Sequence, residues 1–342
     1  MQHLNNLFQT SPRVAGWITF AGAERASRIA DDGVVGNNNA AWQGGARPDY
    51  YIEAQRIGYQ VVLGGLAGGD LALVDRGLRA IEWGYRPDVL SPTNDWSFNR
   101  DYNTIVGHAA HPRTMFGAAS VKTVIAILKD ETLPTALQDR AMSLVVNGIE
   151  QSAAAYVASG DAETFRTQCV NSSQIAFQAT WLQGAFKLTG EDTFKVEAKQ
   201  TVKAMMDMQL DSGAFGEKDG YDTAYSLQTL RELVAYRDLI AGNGGGAWFA
   251  TVSDFITRGA NWLIGRIRPD GSIDTAGNER TSADGPPQLG DHAKGWDIDQ
   301  TAITLAQYAS AFDRWDELEP LIMAVQYRGQ AYDHIGDVAP PA

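Results

Sequence analysis

The chain is short of most features that announce a chemistry. It has one cysteine, Cys169, in 342 residues, which excludes an internal disulfide, and no cluster of Cys and His has zinc spacing. A lone cysteine is most often a small buried hydrophobe. Positive charge is scarce as well. Lys and Arg number 28 against 41 Asp and Glu, a net −13, whereas nucleic-acid binding calls for a basic face. The same balance disfavours anionic membranes, and no apolar run approaches the ~18 residues of a membrane span. The N-terminus MQHLNNLFQT lacks a basic segment followed by an apolar one, so no signal peptide is visible. The chain therefore reads as cytoplasmic, or as the mature form of a periplasmic or secreted protein. Calcium loops of the DxDxDG type are missing. The glycine-rich GNGGGAW at 242–248 lacks the strand and the Lys-Ser/Thr of a phosphate loop. No metal and no cofactor are expected.

Strand-like alternation is absent too, and what remains is helix. Helical spacing predicts Pro12–Ala30, Tyr50–Leu66 and a helix capped by Asp70 that ends near Tyr85. Further helices are expected at Arg113–Leu128, Thr135–Ala158, Ser172–Leu188, Asp192–Met208, Asp222–Ile240, Phe249–Arg268, Ile298–Phe312 and Trp315–Tyr332. Gly58 and Gly64-Gly65 are small residues that permit close helix approach. Tight turns at 68–69, 189–192 and 313–315 join helices in pairs. Longer polar loops, GVVGNNNAAWQGGARPD (33–49) and the irregular 86–112 among them, join one pair to the next. A loop as long as 86–112 in a compact domain is usually functional or disordered, and its three aromatics and two His argue against disorder.

One unit recurs. Asp192–Gln209 is helix-like and is followed by the turn Asp211-Ser212-Gly213, the polar loop GEKDG, and Tyr221-Asp222 opening a helix. Phe249–Arg268 is followed likewise by Pro269-Asp270-Gly271, a polar loop, and Trp296-Asp297 opening another. Periodic helical hairpins form a solenoid or an array closed into a ring. The long loops all enter alternate helices, which would gather them at one mouth. The expectation is a single all-α domain over 1–342, an (α/α) toroid or incomplete barrel of about six or seven hairpins.

Four segments, HPRTMFGAASVKTVIAIL (111–128), NSSQIAFQATWLQGAF (171–186), DSGAFGEKDGYDTAYSLQTL (211–230) and PDGSIDTAGNERT (269–281), resemble the (α/α)-barrel polysaccharide lyases, most closely the glucuronan- and alginate-cleaving group of polysaccharide lyase family 38. The resemblance implies β-elimination on an anionic polysaccharide or oligosaccharide, with Tyr225 as catalytic tyrosine and Asn171 neutralising the substrate carboxylate. A histidine expected beside Asn171 is absent, and Ser172 and Ser173 stand there instead.

The residues can be weighed on their own chemistry. Elimination needs a neutralised carboxylate, a base and an acid. A free phenol with a pKa near ~10 needs nearby positive charge to act as base, and Tyr225 falls in a helix's first turn, at its positive end. Its bland alternative is packing under the loop. Asn171 is either a helix cap or a functional amide. His111 opens a helix from a long loop as base, neutraliser or cap, and His108 precedes it. Arg113 at that helix start opposes the dipole, so it serves substrate or an ion pair. Arg280 and Lys294 are loop cations suited to carboxylates. Trp42, Trp96, Tyr102 and Trp296 lie in polar loops where aromatic faces stack on sugars, and Asn39, Arg100 and Asp222 complete the substrate-binding set. Trp83, Trp181, Trp248 and Trp262 sit in helical patterns and are expected in the core.

Two other readings compete. An inverting glycoside hydrolase would use two carboxyls about 6.5–9.5 Å apart, drawn from Asp95, Asp101, Asp222, Asp297 and Asp299, although each is also a good cap. A non-catalytic carbohydrate-binding solenoid would show a uniform groove. Oligomeric state is open.

Overall fold

The structure, a computed structural model, describes residues 11–35, 52–86, 110–241, 246–278 and 298–333. Most of them are helical, so the all-α expectation holds. The helices are α1 (Pro12–Ala26), α2 (Ile57–Gly68, preceded by a 3-10 turn Ile52–Arg56), α3 (Leu71–Gly84), α4 (Ala110–Lys129), α5 (Thr135–Leu144), α6 (Glu150–Ala158), α7 (Asp161–Gln168), α8 (Ser172–Thr189), α9 (Asp192–Asp207), α10 (Thr223–Ala241), α11 (Ala247–Ile264), α12 (Ile298–Ala311) and α13 (Trp315–Asp333). Among the described residues the only paired strands are β1 (Gly216–Glu217) and β2 (Gly220–Tyr221). No described helix is long and apolar enough to cross a membrane.

The described contacts divide the chain into two compact units. One comprises Ala15–Gln168 with Phe177–Thr201, the other Met1–Val14, Cys169–Ala176 and Val202–Ala342.

In the first unit α2 packs on α3 and on α4. The glycines do what their size suggests. A Cβ built on Gly22 of α1 would lie 2.7 Å from the Cα of Gly64 in α2, so these helices meet backbone to backbone. Asp70 caps α3 as expected, accepting from the N–H groups of Ala72 and Leu73. The single helix expected over Thr135–Ala158 is interrupted by a π turn, Val145–Ile149. Gly148 in that turn lies against the Tyr85 ring, 2.8 Å from where a Cβ would stand, so the wider turn carries the backbone past a buried aromatic. The eight-residue α7 was not expected. It buries only Ala162 and Phe165, too few for a periodic pattern.

Arg140 of α5 forks onto Glu82 with Nε and Nη2 and reaches Asp75 with Nη1, which ties α5 to α3. Partial burial alone would raise the Asp75 pKa, but the guanidinium groups of Arg140 and Arg79 outweigh it and hold it below its ordinary 3.8. A carboxyl whose folded pKa is depressed contributes stability above its unfolded pKa, and loses it as pH falls through the folded value. Below about pH 4, therefore, the melting temperature should fall less steeply in Asp75→Asn than in the native chain, a modest difference for a partly exposed pair. Parallel curves would remove Asp75 from the acid response.

In the second unit α10 packs on α11 and α12, and α12 on α13. The repeat seen in the sequence has a defined geometry here, and a third copy of its turn occurs in the first unit. At Ala30, Leu210 and Arg268 the N–H bonds the carbonyl four residues on, at 2.8, 3.0 and 2.7 Å, while the same residue's carbonyl accepts from Gly33, Gly213 or Gly271. Asp32, Ser212 and Asp270 each bond the N–H two residues ahead. The three glycines have φ of +94°, +92° and +80°, the left-handed region that glycine enters without strain. Each glycine lies against a backbone carbonyl, of Arg79 in α3, Arg258 in α11 or Ala324 in α13. Every copy thus seats the end of one helix on the second helix of the next hairpin. The described helices form five such hairpins (α2–α3, α4–α5/α6, α8–α9, α10–α11 and α12–α13), with α1 before them. Buried polar side chains concentrate on the first helices of these pairs, α4, α8, α10 and α12.

Candidate functional site

Asn171, Asp222 and Tyr225 fall in the same unit, at the entrances of α8 and α10. The loop GEKDG between them, expected to be irregular, is a hairpin. Gly216 pairs with Tyr221 and Glu217 with Gly220, and Lys218 takes a positive φ of 54° at the turn. The hairpin is extended on both sides. Asn171 bridges Glu217 while Lys218 N–H donates to the Val170 carbonyl, and Tyr221 bridges Asn278. One short ribbon therefore holds the entrance of α8, the entrance of α10 and the start of the loop that leads to α12. Two strand spacings put the Asn171 backbone about 10 Å from Gly220.

At the α10 entrance Asp222, 2% exposed, is the N-cap its sequence suggests, with Oδ1 accepting the Tyr225 N–H at 2.9 Å. Asn278 adds a second cap from outside the helix, its Oδ1 accepting from the Thr223 N–H at 3.1 Å and its Nδ2 donating to Thr223 Oγ1. Tyr225, half-buried, sits in the first turn of a 19-residue helix, at the positive end of its dipole. The loop before Asn278 is clamped. The Tyr221 hydroxyl donates to the Ala276 carbonyl, Arg266 bonds both that carbonyl and the hydroxyl, and Arg266 pairs with Asp274 at 3.3 Å. Trp262, expected in the core, is instead half-buried and edge-on to the Tyr221 ring.

At the α8 entrance Asn171 holds the N-cap position, its carbonyl accepting from the N–H groups of Gln174 and Ile175. Its side chain does not cap. The first-turn N–H of Ser173 instead donates to Oε1 of Glu217 at 2.8 Å, and the accepting carboxyl has no exposed surface. Asn171 is 6% exposed, yet its Oδ1 has no partner among the described residues, and neither do the hydroxyls of Ser172, Ser173 and Ser226. Leaving such a group unsatisfied costs about 1–3 kcal/mol, and an unsatisfied polar group in a folded chain calls for an explanation. Cys169 is buried, as expected, with its thiol on Gln174 Oε1.

Arg113, in the first unit, pairs with Asp161 of α7 at 3.0 Å and lies over the Tyr156 ring, contacts that offset its position at a helix start. His111 falls in the first turn of α4, and its side chain lies outside what the structure describes. Asn39, Trp42, Trp96, Arg100, Tyr102, His108, Arg280, Lys294 and Trp296 also lie outside the described residues. Arg280 comes two positions after the anchored Asn278 in the sequence. Sequence reasoning passed over Glu217 and Asn278. Asp219-Gly220 is a hairpin-turn dipeptide and could have flagged the first, whereas nothing local marks Asn278.

One ribbon thus joins two helix N-termini, with a buried amide at one and a phenol in the first turn of the other. Among the described residues no three His, Cys, Asp or Glu side chains gather as a metal ion would require. No protein-family model, curated protein or solved structure matches this chain.

Proposed function

We propose that this chain is a lyase that cleaves a uronic-acid-containing polysaccharide, glucuronan- or alginate-like, by β-elimination. The observation that carries the reading is the Asn171 side chain. It is buried at the positive end of α8 and released from capping, because Glu217 holds the Ser173 N–H. The Nδ2 of an amide in that position can donate to a uronate carboxylate, whose developing enediolate must be stabilised for the neighbouring proton to leave. Tyr225, at the other end of the ribbon, takes that C5 proton as phenolate. The C4–O bond then breaks, and the departing sugar oxygen takes a proton from the phenol. The product carries a C4=C5 double bond conjugated with its carboxylate.

His111 as a further base and Arg280 as a further carboxylate partner belong to the same proposal, as does an (α/α) toroid built from the hairpin repeat. A polymeric substrate fits a periplasmic or secreted enzyme. The inverting-hydrolase reading has less to draw on, because Asp222 is occupied in capping α10.

The test is ultraviolet absorbance during incubation with glucuronan, alginate and other polyuronates, run beside a reducing-end assay. Rising absorbance of unsaturated uronate is expected. Reducing ends without it mean hydrolysis, and silence in both assays sinks the proposal.

A further inference from the structure

We infer that Glu217 is a positioning residue, a borrowed helix cap that leaves the Asn171 side chain free to turn its Nδ2 donor toward a ligand's carboxylate. The ligand's identity rests on the elimination proposed above, whereas the exchange of caps does not. An asparagine at an N-cap ordinarily accepts from the N–H two or three positions into the helix. Here the N–H at the second position goes to Glu217 Oε1, and that at the third, from Gln174, goes to the Asn171 carbonyl. Neither N–H is left for Asn171 Oδ1, and it has no partner among the described residues. Glu217 is suited to the cap. A carboxylate at a helix N-terminus is electrostatically favoured, and the bridge between Asn171 and Glu217 fixes its backbone opposite that of the residue it relieves. Since β1 leads through β2 into α10, one hairpin sets both the Asn171 amide and the turn that carries Tyr225.

Glu217→Ala removes the borrowed cap and allows Asn171 to swing back onto Ser173. Glu217→Gln keeps an acceptor. Glu217 acts through Asn171, so its removal should matter only while Asn171 is present.

Two measurements test this. The first is amide hydrogen exchange over 170–176, which needs no activity. Asn171→Ala should leave the Ser173 amide as protected as in the native chain, and Glu217→Ala with Asn171→Ala together should speed its exchange tenfold or more. Deprotection by Asn171→Ala alone would make Asn171 the cap and overturn the inference. The second is a double-mutant cycle on the elimination rate. Glu217→Ala should lower kcat ten- to a hundredfold with little change in KM, and Glu217→Gln should recover most of that loss. In the Asn171→Ala background Glu217→Ala should change kcat less than twofold. Additive losses would show that Glu217 does not act through Asn171. Should the native chain prove inactive on polyuronates, the elimination reading fails alone and the exchange result still decides the cap.

Discussion

Tyr225→Phe is expected to lower the rate of unsaturated-uronate formation by roughly 10²–10⁴-fold, the usual contribution of a positioned acid–base group. The bond that ties residue 225 into the α10 entrance runs from its backbone N–H to Asp222 Oδ1, and phenylalanine keeps both that bond and the ring. Thr229 bonds the residue 225 carbonyl, which is likewise untouched, and melting curves measure what loss of the hydroxyl itself does to stability. Asn171→Ala should fall by about 10²–10³-fold, as when one donor to a developing oxyanion is deleted. Because Glu217 holds the cap, that loss should come without the ~1 kcal/mol stability cost that usually accompanies loss of an N-cap side chain. Initial rates from absorbance and melting curves on the same preparations separate the two quantities. A Tyr225→Phe enzyme within twofold of the native rate would remove Tyr225 from the chemistry.

The helices were legible because each buries a face, and burial repeats with the helical period whatever lies opposite. Asp70 and Asp222 were legible for a related reason: a cap bonds its own helix, so its signal is local. The misses share the opposite property. The π turn at Val145–Ile149 lies against Tyr85, a ring at the end of another helix. Glu217 looks like one more charge in a polar loop, and its burial comes from a bond to a residue 44 positions away. Asn171 is the sharpest case. From sequence it was equally a cap or a functional amide, and the structure adds that another acceptor, Glu217, reaches the Ser173 N–H. No window around residue 171 contains that fact. Arg113 shows the same limit from the other side, since its partner Asp161 lies on a helix too short to be foreseen.

The repeat was more legible than its function. The Asp-Gly turn signal at 211–213 and 269–271 marked two copies, and the hydrogen bonds at 30–34 add a third with the same glycine conformation. The copies diverge immediately past the turn. After Gly213 the chain buries Ala214 and Phe215 and enters the ribbon at once, whereas after Gly271 it runs through the loop clamped by Arg266 and Tyr221. The common turn fixes where each loop starts, and the residues after it settle what the loop holds.

Phe215 is accordingly where stability and site geometry should fail together. Its side chain has no exposed surface. It stands edge-on to Phe255 at 5.5 Å between ring centroids, and its tip lies 2.1 Å from where a Cβ on Gly259 would stand, so the ring rests directly on the α11 backbone. The next residue begins β1. Phe215→Ala should therefore destabilise the fold by about 3–5 kcal/mol, the range for deleting a buried phenylalanine and leaving its cavity, and should lower the melting temperature by roughly 1–2 °C for each of those kcal/mol. Activity should fall further than the folded fraction predicts, because the anchor lost is the one that seats Glu217 and, through β2, Tyr225. Phe215→Leu, closer in volume, should recover part of both losses. Calorimetry beside the absorbance assay, on samples held well below their melting temperatures, measures the two effects separately. A loss of under about 1 kcal/mol would mean that the ring is not the anchor its burial indicates.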